Sequence, residues 1–271
     1  MEESIGRLYM AGIVPGLLLS ALFMAVIFVL AWIWPGLAPR ERAAPWKTRL
    51  LGLFGLTPTF LLIFLVLGTI WLGVATPTEA AAFGVTGSVV LAALNRSLSF
   101  GMVKDICLSS ARTTTMIMLI LTSALILQSI LALLGTPYAI SRAVASWGLK
   151  PTAFMIIVIV FYLILGMFMD AFSIMITTIP VILPVVKTLH IDLVWFGVIA
   201  VVLTEAGLIS PPFGLNLFVI QGLREKRATG GTIREVYIGV LPFFGMMLLE
   251  IVLLMLFPQV ALWLPQTMMG R

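Results

Sequence analysis

Gly166-Met167-Phe168-Met169-Asp170-Ala171-Phe172-Ser173 lies in the middle of an apolar segment that runs from about Thr152 to Val186. The segment is too long for one membrane crossing, which takes about 20 apolar residues, and it lacks a polar loop that would divide it into two. Polar residues at its centre, followed by Thr177, Thr178, Pro180 and Pro184, predict a re-entrant helical hairpin over about 152–186 with Asp170 at its tip. Non-helical backbone at that depth is tolerated only where protein or a cavity surrounds it.

The rest of the chain is built to the same scale. Of its 271 residues 61% are hydrophobic and 10% charged, against roughly 25% charged in soluble domains, so there is too little charge to cover a water-facing surface. The apolar runs are long, continuous and rich in Leu, Ile, Met and Ala rather than alternating, which selects helices over a β-barrel. The sequence therefore predicts an all-α integral membrane protein with about six transmembrane helices, one re-entrant hairpin and one broken helix. The spans are expected at about Ala11–Trp34, Leu50–Val74, Ala80–Leu94, Thr113–Leu134, Val194–Ile220 and Val236–Phe257.

Charge orients them. A loop with Pro35, Pro39 and Pro45 carries Arg40, Arg42, Lys47 and Arg49 against Glu41 alone, and a later one carries Arg96, Lys104 and Arg112 against Asp105. By the positive-inside rule both face the cytoplasm. A linker with Gly135, Pro137, Gly148 and Pro151 then falls outside. If 152–186 is a hairpin, the basic loop Arg224-Glu225-Lys226-Arg227 also falls inside; if it were a simple span, that loop would fall outside. The N-terminal Met1-Glu2-Glu3 lacks the positive region of a signal peptide, so the first run reads as a span that stays. The net charge of +5 is scattered over loops and is no nucleic-acid signal. One cysteine, Cys107, and one histidine, His190, leave no spacing for a disulfide, a zinc site or a histidine-based triad, so no enzyme and no cofactor is expected.

The helix over about 194–220 is interrupted at Leu208-Ile209-Ser210-Pro211-Pro212-Phe213-Gly214-Leu215-Asn216. Successive prolines remove two backbone donors, and Gly214 adds backbone freedom. In transporters such breaks place free carbonyls and half-helix ends around ions and substrate. Carbonyls suit a cation and helix N-termini an anion. Ser210 and Asn216 add oxygens suited to Na⁺. The alternative is a proline kink with no ligand. Asp170 is expected to cap the second hairpin arm near Ser173, to bind an ion, or both. Thr177 and Thr178 either join the site or bond the preceding turn. Glu205 either binds a cation or accepts donors freed by the break. Thr76-Pro77-Thr78-Glu79 reads as a capping box with proline at the first helical position. Glu250 has no visible partner, and Trp32, Trp34, Trp71, Trp147, Trp195 and Trp263 fall near span ends as an aromatic belt would.

Three motifs together resemble the large membrane subunit of TRAP (tripartite ATP-independent periplasmic) transporters. They are Gly73-Val74-Ala75-Thr76-Pro77-Thr78-Glu79-Ala80-Ala81-Ala82, the hairpin from Gly166 to Pro184, and Glu205-Ala206-Gly207-Leu208-Ile209-Ser210-Pro211-Pro212-Phe213-Gly214-Leu215-Asn216-Leu217-Phe218. Ala11-Gly12-Ile13-Val14-Pro15-Gly16 is similar to the family's mid-chain. The resemblance implies two inverted repeats, of which this chain matches the second: residues 1–49 would hold the first repeat's last helix and a cytoplasmic linker, and 50–271 the second repeat. It further implies Na⁺-coupled uptake of an organic acid (a dicarboxylate, keto acid or sugar acid) by an elevator motion in the bacterial inner membrane. The partners would be a small membrane subunit and a periplasmic substrate-binding protein. Asp170, Ser173 and the break from Ser210 to Asn216 would form one Na⁺ site and one side of the substrate cavity. A binding-protein-independent anion carrier and an inert fragment of the permease remain as alternatives.

Overall fold

The computed structural model describes residues 4–37, 45–226 and 231–269. Pro39, Arg40, Glu41, Arg42 and Arg227, and the opening Met1-Glu2-Glu3, lie outside the described residues. The described residues are helical throughout, with no strand: α1 (Ile5–Ile33), a 3₁₀ turn (Pro35–Leu37), α2 (Trp46–Gly55), α3 (Thr57–Trp71), α4 (Pro77–Leu94), α5 (Phe100–Leu133), α6 (Thr136–Ser146), α7 (Pro151–Gly166), α8 (Ala171–Thr188), α9 (Leu193–Leu208), α10 (Leu215–Lys226), α11 (Ile233–Leu256) and α12 (Gln259–Met269). Among the described residues six segments are long and apolar enough to cross a membrane: α1, α2 with α3, α4, α5, α8 and α11. The chain is an all-α integral membrane protein. The count matches expectation and the set differs by one. At 16 residues α9 spans only about 24 Å, short of the roughly 30 Å core, whereas α8 with 18 residues qualifies.

Two compact units share the described chain. One holds Trp34 to Thr115, the other α1 and everything from Met116 onward. In the first, α3 packs on α2 and α4. The second expected span is divided there at Leu56, because Pro58 cannot supply the amide that would run the ladder through. The capping box at the head of α4 forms as expected: Thr76 Oγ1 accepts from the Glu79 amide at 3.4 Å, and the Thr76 amide donates to Glu79 Oε2 at 2.8 Å.

The loop expected between the third and fourth spans is shorter than the sequence suggests. α5 begins at Phe100, so Lys104, Asp105 and Arg112 are helical. Its 34 residues extend about 51 Å, longer than the hydrocarbon core, and these charges sit on the overhang. The linker after it holds a helix of its own, α6, bounded by Gly135 and Gly148 in the left-handed region at φ +67° and +59°, where glycine meets no Cβ penalty.

In the second unit α9 is the centre. It packs on α1, α7, α8, α10, α11 and α12, and 12 of its 16 residues are buried, the pattern of a helix that is apolar all round. Trp195 belongs to this core and not to an interfacial belt: it is 8% exposed, and its indole N–H donates to the Leu254 carbonyl at 2.8 Å. Asp192 starts α9 by accepting the amides of Val194 and Trp195, each at 2.9 Å.

Candidate functional site

The hairpin is a helix–turn–helix of α7 and α8. The turn at 167–170 leaves α7 after Gly166, and α8 begins with Asp170 as its N-cap. The arms are tied by Tyr162 Oη and Thr178 Oγ1 at 2.6 Å, both buried, and Thr178 also donates to the Ile174 carbonyl at 2.8 Å. Thr178 thus takes the structural role open to it, as cross-arm tie and back-bonded hydroxyl. Ser141 and Thr188 join α6 to the far end of α8 at 3.0 Å.

At the tip Asp170 caps α8. Its carboxylate accepts the Ser173 amide at 3.0 Å and a short hydrogen bond from the Ser173 hydroxyl. An acidic cap of this kind satisfies a free amide and compensates the positive helix end. Asp170 and Ser173 are therefore joined to each other, as a cap and its first turn.

The broken helix is present as expected: α9 ends at Leu208, α10 starts at Leu215, and Pro211–Pro212 is a cis peptide. Ser210 closes the break, its amide donating to the Gly207 carbonyl and its own carbonyl accepting from Gly214, each at 3.0 Å. Gly214 is required by space: a Cβ there would lie 2.5 Å from the Leu208 carbonyl oxygen. Among the described residues, the carbonyls of Leu208, Ile209, Pro211 and Phe213 accept no hydrogen bond, and the amides of Phe213, Leu215 and Asn216 donate none. Ser210 is buried at 3% exposure and, among the described residues, its hydroxyl has no hydrogen-bond partner, while Asn216 is exposed.

Tip and break meet. Gly166 and Gly207 touch backbone to backbone, so that a Cβ on either would fall 2.6 Å from the other's Cα. Phe168 of the tip stacks on Phe213 of the break with ring centroids 5.4 Å apart. Two helix C-termini, of α7 and α9, and two N-termini, of α8 and α10, therefore converge. Asp170 already occupies the N-terminus of α8, which leaves the N-terminus of α10 as the open anion-attracting end. Neither the glycine contact nor the phenylalanine stack is among the roles read from the sequence. Small residues at a close helix crossing were the available signal, and both glycines stand inside the motifs quoted above.

Two expected members are not tied into this junction by a hydrogen bond among the described residues. Glu205 is exposed on α9 and, among the described residues, accepts no hydrogen bond, so it does not stabilise the broken helix by taking its free donors. Thr177 lines a cavity of about 250 Å³ between α5, α6 and α8, with Gln128, Tyr138, Pro180 and Pro184 among its neighbours. Neither Asp170 nor any residue of the break lines that cavity.

The description of the tripartite ATP-independent periplasmic transporter, DctM component, matches residues 1–260. The chain belongs to this family. Among its DctM relatives, a C4-dicarboxylate TRAP transporter large permease protein of Pseudomonas aeruginosa is 35% identical over 270 residues, which is 97% of this chain and 60% of that relative. One of the same name from Rhodobacter capsulatus is 33% identical, covering 97% of this chain and 59% of that relative. An isethionate TRAP transporter permease protein of Oleidesulfovibrio alaskensis is 32% identical over 253 residues, 91% of this chain and 38% of that relative. The chain spans about 60% of the length of the large permeases it matches.

Proposed function

We propose that this chain supplies the second transport repeat of a DctM-type permease that takes up a small organic anion together with Na⁺ across the bacterial inner membrane. A periplasmic binding protein would deliver the anion, and a small membrane subunit would complete the permease. The observation that carries the reading is the meeting of hairpin tip and helix break, locked by Gly166 on Gly207. Such a junction holds free carbonyls for a hard cation beside a helix N-terminus for a carboxylate or sulfonate. The relatives are named for C4-dicarboxylates and isethionate, two small acids that share an anionic group and little else, which suits recognition by backbone amides.

In this reading Ser210, Gly214 and Asn216 belong to the site with the prolines that open it. Asp170 and Ser173 shape its other wall. On this reading the hairpin enters and leaves on one face, with α7 short for a crossing and the turn at 167–170 sending α8 back along it. Coupling follows if Na⁺ and anion bind one orientation better than the other, because only differential affinity shifts a population.

The test is Na⁺-dependent uptake of labelled acids (a dicarboxylate, a keto acid, a sugar acid and a sulfonate) in proteoliposomes. The permease is assembled from this chain and a co-expressed N-terminal half, with the small subunit and binding protein. Uptake that needs Na⁺ and falls at least tenfold in Ser210→Ala is expected. Uptake indifferent to Na⁺, or unchanged in that variant, would overturn the assignment of the site.

A further inference from the structure

The break has few means of holding itself in shape. Pro211 and Pro212 carry no amide, and their rings fix φ at both positions. Pro212 also restricts ψ at Pro211. The main soft torsion left between Ser210 and Phe213 is ψ of Pro212, and the direction of the Pro212 carbonyl reports it.

That carbonyl is held from outside the break. Tyr237, in the second turn of α11, donates its hydroxyl to the Pro212 oxygen at 2.7 Å. The donor comes from 25 residues further along the chain, and α11 packs on both α9 and α10. We infer that Tyr237 is a positioning residue for the ion site. By holding that torsion, it fixes the plane of the Pro212–Phe213 peptide, and with it the orientation of the free Pro211 carbonyl on one side relative to the free Phe213 carbonyl on the other. It also withdraws the Pro212 carbonyl from the set that can face a cation. Tyr237 touches neither ion nor substrate. The inference rests on the reading of the break as a Na⁺ site, and it adds a determinant of that site's affinity on a separate helix.

The experiment compares the complete permease with Tyr237→Phe, which keeps the ring and loses only the hydroxyl. Tyr9→Phe makes the same chemical change at an exposed tyrosine of α1 with no hydrogen bond among the described residues. Loss of one such bond should raise the Na⁺ concentration for half-maximal uptake about twofold to tenfold. The maximal rate and the unfolding temperature should stay as in the parent, and Tyr9→Phe should change nothing. Hydrogen exchange of the purified protein gives a readout that needs no transport: the amides of Gly214 and Leu217, which are hydrogen-bonded within the break, should exchange faster in Tyr237→Phe. Unchanged Na⁺ dependence with unchanged exchange would overturn the inference, as would a lower maximal rate at unaltered Na⁺ affinity. If the parent shows no Na⁺ dependence, the transport reading fails. Faster exchange would then still establish Tyr237 as the residue that sets the break, and unchanged exchange would remove that role too.

Discussion

Asp170 serves its helix through two acceptor contacts, and the capping role can be separated from charge. Asp170→Asn keeps a side-chain oxygen for the Ser173 amide, while Asp170→Ala removes it. Thermal unfolding in detergent should show Asp170→Ala losing about 1 kcal/mol and Asp170→Asn losing less. Equal losses would mean that the negative charge, and not the cap, is what the tip needs. Glu250 is the opposite case. It is fully buried in α11, and among the described residues neither carboxyl oxygen has a hydrogen-bond partner. A polar group in that state costs about 1–3 kcal/mol. Glu250→Met, of similar volume and apolar, is expected to raise the unfolding temperature, and a fall would reveal a partner for the carboxyl. Its lack of a partner is visible in the sequence as an isolated acid within an apolar run. The fate of Glu205 is not, because an acid at the same depth can point inward or outward and only packing decides.

At the scale of elements, the hairpin and the broken helix depend on contacts between them more than on either alone. Gly166→Ala or Gly207→Ala would drive a methyl into backbone, where no side chain can move aside. Either is expected to cost about 1–3 kcal/mol or more, read as a lower unfolding temperature with the helical signal before unfolding retained. Parent-like stability would mean that the two helices do not meet there. The Phe168–Phe213 stack should show a coupling of about 0.5–1.5 kcal/mol in a double-mutant cycle with leucine at each position, and an additive cycle would dissolve the link between tip and break. These elements were legible in sequence because prolines, glycines and polar residues inside apolar runs mark where a helix must stop. The helix α6 and the early start of α5 were not. Their polar, charged stretches resemble loops, and a helix lying beyond the hydrocarbon core leaves no hydropathy signal.

Across the whole molecule, the sequence carried the class, the number of spans and the two interrupted segments, since these follow from the length of apolar runs against a fixed membrane thickness. It did not carry the partners of those segments in space. Tyr237 and Pro212 stand 25 residues apart with nothing between them to announce a bond, and Trp195 reads equally well as a belt residue or a core one. The glycine contact has a mechanical meaning at this scale. Two helices that touch through backbone alone have no rotamers to exchange and no slack to take up, so the joint behaves as a weld. α7 and α9 then form one rigid beam, and strain between tip and break has to be taken up elsewhere. α8, with Pro180 and Pro184 inside it, is the compliant limb beside that beam.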